Sequence, residues 1–200
     1  MLRCAVLVSG GGTNLGALIK AKEDGIIKSC TLSIVIADRE AYALERAKNA
    51  NIESLLIDRK ALGKARFEQE LLLALQEREI DMIVLAGFLS ILSPTIVGQY
   101  SDRIINIHPS LIPSFCGKGY YGLKVHEAAL NYGVKVTGAT VHLVNEIPDG
   151  GKILLQKAVS VQDGDTPETL QRRVMEEAEW IILPQGVELL SSSLKKENDK

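Results

Sequence analysis

The feature that most constrains this chain is an alternation, through its first half, of short β-rich runs with stretches of helical apolar spacing. Segments 3–9, 32–37, 54–58, 82–86 and 104–107 read as strands. Between the first two, Leu15, Leu18 and Ile19 follow the i, i+3, i+4 spacing of one helix face, and Lys22, next on that face, predicts an early end. Phe67, Leu71, Ala74 and Leu75 form a longer stripe before the fourth strand, and Ser93-Pro94 is a helix start with serine as cap. This order builds βαβ units on a parallel sheet, so the expected class is α/β, a single-domain Rossmann-like open sheet.

The pattern changes after His108. Residues 109–122 hold two prolines, three glycines and adjacent Tyr120 and Tyr121, which predicts a long functional or mobile loop. A helix is expected over 123–132, then strands over 136–144 and 153–161 joined through Pro148-Asp149-Gly150-Gly151. Strands so close together pair antiparallel, so the sheet is expected to be mostly parallel with antiparallel C-terminal strands. Thr166-Pro167-Glu168 starts a last helix, with an interruption expected near Pro184. From Ser191 the apolar period is lost, so residues 1–190 read as one domain and 191–200 as a frayed tail.

A chain of 200 residues, 46% hydrophobic, can bury a sizeable core. Its net charge of -2 offers no general attraction to nucleic acid or an anionic membrane, and its longest apolar runs are too short to cross a bilayer. The N-terminus lacks signal-peptide character, so a cytoplasmic location is expected. Cys4, Cys30 and Cys116 make neither a disulfide framework nor a metal motif; Cys4 reads as packing, and Cys116 lacks a local base to activate it.

Ser9-Gly10-Gly11-Gly12-Thr13-Asn14-Leu15 joins the first strand to the first helix. Glycines there let backbone N–H groups approach a ligand, and the helix N-terminus favours an anion, above all a phosphate. Thr13 can cap the helix or donate to a phosphate oxygen. The dinucleotide spacing fails, since Leu15 stands where a third glycine would, and no lysine precedes Thr13 as a P-loop requires. A plain tight turn is the competing reading, although three glycines exceed its needs.

The three histidines are His108, His126 and His142. Asn106 and His108 lie two apart at a strand end, so both side chains face one way, where open α/β sheets bind ligands. An amide donor beside an imidazole suits attack on a carbonyl: Asn106 donates to the oxyanion, and His108 assists or moves protons. The competing reading makes His108 a strand-end histidine bonded to a neighbouring loop and Asn106 a turn former. His142 is a core-edge histidine or a third member of the site, and His126 a surface residue or a satisfied partner. Asp149 either stabilises its turn or folds back to pair with His108 and raise its pKa. The histidine spacings suit no metal.

Together these segments resemble the phosphoribosylglycinamide formyltransferases, the folate-dependent glycinamide ribonucleotide transformylases of purine synthesis. The matching stretches are 9–15, 84–94, 105–113, 137–144 and 149–156, in the family's order. The resemblance implies that Asn106, His108 and Asp149 are catalytic, with protonated His108 held charged by Asp149. It implies formyl transfer from 10-formyltetrahydrofolate, a co-substrate, to the amine of glycinamide ribonucleotide, without a metal. Gly11, Gly12, Thr13 and Asn14 would hold the substrate phosphate and Glu179 the ribose, with a one-residue insertion upstream of Glu179. Leu85, Leu89, Ser90, Ile91 and Leu92, with the 142–149 segment including His142, would line the pterin pocket.

The chain also departs from the family. Many relatives have Met-Arg where this chain has Leu89-Ser90, so contacts from that arginine are absent. The basic residue near the folate tail would be Lys64, ahead of Arg66, and the 113–122 loop is longer than in some relatives. Small molecules are the expected partners, with no nucleic acid or membrane, in a monomer or homodimer. Formyltetrahydrofolate deformylase is the alternative; the first strand's start at residue 3 argues against the regulatory domain that precedes it there.

Overall fold

Along Leu2–Val8, Leu2, Cys4, Val6 and Val8 face one side and Ala5 and Leu7 the other, and every residue but Arg3 is buried. A strand buried on both faces belongs inside a sheet covered by helices on both sides. The computed structural model describes residues 1–198 and places this strand, β1, third in a seven-stranded sheet of order β3-β2-β1-β4-β5-β6-β7. Strands β2 (Cys30–Ala37), β3 (Glu53–Leu56), β4 (Met82–Leu85) and β5 (Ile104–His108) run parallel to it. Strand β6 (Val136–Leu143) is antiparallel to β5, and β7 (Ile153–Ser160) to β6. The mixed sheet expected from sequence is the sheet observed.

Helices α1 (Thr13–Glu23), α2 (Tyr42–Asn49), α5 (Leu123–Tyr132), α6 (Pro167–Val174) and α7 (Trp180–Asn198) cover one face. Helices α3 (Arg59–Glu77) and α4 (Pro94–Gln99) cover the other. The expected stripe Phe67, Leu71, Ala74 and Leu75 is the buried face of α3. Each large member is worth about 1.5–3 kcal/mol, enough to hold the helix despite Gly63, whose φ of 73° breaks it near its start. Strand β3 stops at Leu56 rather than Asp58, because Asp58 is the cap of α3 and accepts from Lys60 N at 2.8 Å and Ala61 N at 3.0 Å.

The C-terminal region corrects two expectations. Pro184 lies inside α7, and the interruption is a π-helical turn, Met175–Glu179, just before it. Proline brings no N–H to the carbonyl four residues back, Trp180, and the wider π turn ends at the residue just before that. Nor does the chain fray at Ser191. The helix runs on to Asn198 because Ser191 is fully buried and Leu194 packs against the core. The last two residues of the expected tail, 199–200, lie outside the described residues. No helix among the described residues is long and apolar enough to cross a membrane.

The strand order reverses between β1 and β4, the position at which open α/β sheets form a ligand crevice beyond their carboxyl ends. The glycine loop after β1 and segment 86–92 after β4 flank it. Ser9 ties them together: its N–H donates to Gly87 O at 3.1 Å, and its hydroxyl accepts from Leu89 N at 2.8 Å.

Candidate active site

Asn106 and His108 project from the carboxyl end of β5, and antiparallel pairing sets His142 opposite Asn106 and Thr140 opposite His108. The turn between β6 and β7 then returns over this strand end. Asp149 sits there at φ 56°, a left-handed conformation that aspartate tolerates better than most residues. Gly151 follows because a Cβ there would lie 1.7 Å from Leu143 O. This crossing fixes the Asp149 carboxylate over the pair. It accepts from Gly117 N at 2.8 Å and Asn106 Nδ2 at 3.4 Å, and lies 3.6 Å from both His108 Nδ1 and His142 Nε2.

The hydrogen bonds assign protons. His142 Nδ1 donates to Leu143 O at 2.8 Å, which turns Nε2 toward Asn106 Nδ2, 3.1 Å away, and toward the Asp149 carboxylate. His108 Nε2 donates to Phe115 O at 2.9 Å, so its Nδ1 faces Asp149. His108 is therefore both a loop-bonded histidine and a partner of Asp149. The expected rise in its pKa is not the net result. Burial, at 4% exposure, lowers the pKa and outweighs the Asp149 charge and the Phe115 carbonyl, which act upward. Burial also pushes the Asp149 carboxyl upward, but His142, the charge of His108 and the Gly117 N–H together hold it below its usual range. The resting pair is thus an ionised aspartate beside a neutral imidazole.

These groups close one end of a cavity of about 620 Å³, and Leu85, Leu89, Ser90, Ile91, Leu92 and His142 all line it. Its basic lining residues are Arg39 and Lys118. Lys64, expected near the folate tail, is exposed just beyond the Gly63 break in α3 and does not line the cavity, nor does Arg66. Thr140 anchors the base of the 109–122 loop, donating to Ser110 O at 2.6 Å and accepting from Ile112 N at 3.1 Å. Burial and the Asp149 charge raise the Cys116 thiol, which disfavours a thiolate nucleophile.

A second cluster forms at the glycine loop. Gly12, at φ 70°, is the helix cap of α1 and supplies no side-chain bond, so the first N–H groups stay open to an anion. Thr13 does not cap; its hydroxyl lies 3.8 Å from Met175 Sδ. A Cβ on Gly12 would meet Ala43 Cβ at 2.7 Å, whereas Gly10 and Gly11 face open space. Asn14 donates to Glu179 Oε2 at 2.7 Å, bringing together two expected substrate contacts 165 residues apart. Glu179 is buried, and burial raises its carboxyl despite Asn14. The π turn presents this glutamate inward.

Sequence reasoning missed two arginines. Arg46 donates from Nε to Gly11 O at 2.8 Å, pinning the loop from α2. Arg39 follows the carboxyl end of β2, and that strand-end position was the available signal. It also misplaced His126, which is fully buried with neither ring nitrogen hydrogen-bonded. Burial, then the charge of nearby His108, lower the His126 pKa to about 4.

Residues 2–187 match the formyl transferase family model. This chain belongs to that family. A phosphoribosylglycinamide formyltransferase of Bacillus subtilis is 38% identical over 176 residues, 87% of each protein. The human trifunctional purine biosynthetic protein adenosine-3 is 43% identical over 192 residues, 95% of this chain, which spans only 18% of that relative's length. Among solved structures, glycinamide ribonucleotide transformylase 1 from Symbiobacterium toebii superposes with a TM-score of 0.89 at 40% identity, covering 96% of this chain and 89% of the other. A formyltetrahydrofolate deformylase from Pseudomonas syringae is more distant, at 26% identity and a TM-score of 0.81 over 94% of this chain and 61% of its own.

Proposed function

We propose that this formyl transferase moves the formyl group of 10-formyltetrahydrofolate to the amine of glycinamide ribonucleotide, a step of de novo purine synthesis. One observation carries the reading. Asn106, His108 and Asp149 converge at the end of a cavity large enough for a pterin, and a separate glycine loop at a helix N-terminus is backed by Asn14 and Glu179. A one-substrate hydrolase needs no such loop. The relatives named for this transfer support the same choice.

In this reading the phosphate takes the open N–H groups at Gly11, Gly12, Thr13 and Asn14, and Glu179 meets the ribose. The amine attacks the formyl carbon, forming a C–N bond while the carbonyl oxygen takes the electron pair. Asn106 donates an N–H to that oxyanion. The proton shed by the nitrogen reaches neutral His108 at Nδ1, directly or through one water held by Asp149. The resulting imidazolium pairs with the ionised carboxylate 3.6 Å away. Return of that proton to the carrier nitrogen lets the old C–N bond break. A resting neutral His108 fits this role better than one charged throughout, because it can accept the proton.

A cytoplasmic site of action belongs to the same proposal, supported by three unpaired cysteines. The test is a spectroscopic assay of 10-formyltetrahydrofolate consumption with and without glycinamide ribonucleotide. Turnover only with the ribonucleotide is expected. Tetrahydrofolate release without an acceptor would mean a deformylase.

A further inference from the structure

Three strand ends meet at one carboxylate. Asp38, just past β2, is 1% exposed and accepts from the Ser90 hydroxyl beyond β4, while Ser9 beyond β1 holds Leu89 beside it. The same carboxylate grips its neighbour Arg39 in two bonds, from Nε at 2.9 Å and Nη2 at 3.0 Å. Burial alone would raise the Asp38 carboxyl; Arg39, Ser90 and Ser9 reverse that and keep it ionised. An ion pair between adjacent residues joins no distant parts of the fold. What it does is fix the direction of a guanidinium whose side chain remains 48% exposed on the cavity wall. Two of five N–H donors are used, so three remain for another acceptor. The Ser90 hydroxyl is spent on Asp38 rather than facing a ligand.

Position gives that acceptor an identity. Between β2 and β5 lie three interstrand steps of about 4.8 Å, which puts Arg39 roughly 14 Å from Asn106 across the sheet. A carrier whose formyl nitrogen lies at Asn106 extends an aromatic ring, an amide and a short carboxylate-bearing chain over a comparable span. The intervening wall, Phe88, Leu89 and Leu92, is apolar, as a benzoyl ring requires. Lys118, the other basic residue of the lining, belongs to the 109–122 loop near the catalytic end.

We propose that Arg39, aimed by buried Asp38, binds the carboxylate tail of the folate carrier and makes that tail count in recognition. The inference rests on the formyl-transfer reading of the cavity. Its test compares 10-formyltetrahydrofolate with 10-formyltetrahydropteroate, the same carrier without its glutamate. Arg39→Ala should raise KM for the tailed carrier about 10-fold or more, the worth of a lost charge-assisted hydrogen bond. Both kcat and KM for the tail-less carrier should stay unchanged. Arg39→Lys, which keeps charge but loses the fork, should fall between. A KM unchanged for the tailed carrier, or raised equally for both carriers, would overturn the assignment. Calorimetric binding of folate and pteroate to wild type and Arg39→Ala separates the two readings. A tail preference lost in the variant, in a protein that transfers no formyl group, sustains Arg39 and rejects the transfer reaction.

Discussion

Asn106 Nδ2 lies 3.1 Å from His142 Nε2 and 3.4 Å from Asp149 Oδ1, so the amide is oriented before any ligand arrives, and the longer contact is the one given up when an N–H turns to an oxyanion. A donor fixed in this way acts on charge that develops during reaction. Asn106→Ala should therefore lower kcat by about 10²–10³, or about 2.7–4 kcal/mol, with both KM values nearly unchanged. Steady-state kinetics decide it; a raised KM with normal kcat would remove Asn106 from the reacting atoms. The pairing of Asn106 with His108 was legible because a strand's period is two. The place of His142 was not, since it depends on the register of β6, which no local pattern specifies. The protonation of His108 was misread for a related reason: the charge of Asp149 is visible in the sequence, and the depth of burial is not.

Among the elements, the turn from β1 into α1 separates two uses of glycine. Gly12 combines a φ of 70° with the packing of α2, since a Cβ would fall 2.7 Å from Ala43 Cβ and 2.9 Å from Ala43 Cα. Gly12→Ala should cost about 2–4 kcal/mol in urea unfolding, from strained backbone plus overpacking. Gly11 has an ordinary φ sign and open surroundings, so Gly11→Ala should leave stability nearly unchanged. That methyl instead enters the proposed phosphate site and should raise KM for the ribonucleotide several-fold. If neither variant alters that KM, the loop is only a turn. The glycine run was readable as a turn with spare room, but which glycine serves packing depends on α2 arriving beside it. The π turn shows the same limit. Pro184 announced a disturbance, yet the π turn lies at Met175–Glu179, where Glu179 meets Asn14, a contact that no local pattern specifies.

Across the whole molecule, the positions of strands and helices along the chain followed from apolar periodicity, while the order of the strands in the sheet and the polar residue that the core encloses did not show. In α5, His126 sits between Val125 and Ala129 on the buried face, where a polar letter in a helix ordinarily reads as surface. With neither ring nitrogen bonded, the neutral ring is tolerated and the imidazolium is not. Its pKa of about 4 lies below the 6.5 of an ordinary histidine. The unfolded chain therefore binds a proton that the folded chain refuses, and stability falls as pH drops from about 6.5 toward 4. Between pH 7.5 and 4.5 this one group should remove about 2.5 kcal/mol of unfolding free energy. His108, whose pKa is also lowered, acts in the same direction, whereas Glu179, raised by burial, acts in the opposite one. A difference measurement cancels both: urea unfolding of wild type and His126→Leu at each pH. Leucine suits the apolar site, so the variant should match wild type closely at pH 7.5 and exceed it by about 2.5 kcal/mol at pH 4.5. Equal acid losses in the two proteins would mean that His126 takes up its proton without unfolding, and that α5 and the loop above it yield to let water reach the ring.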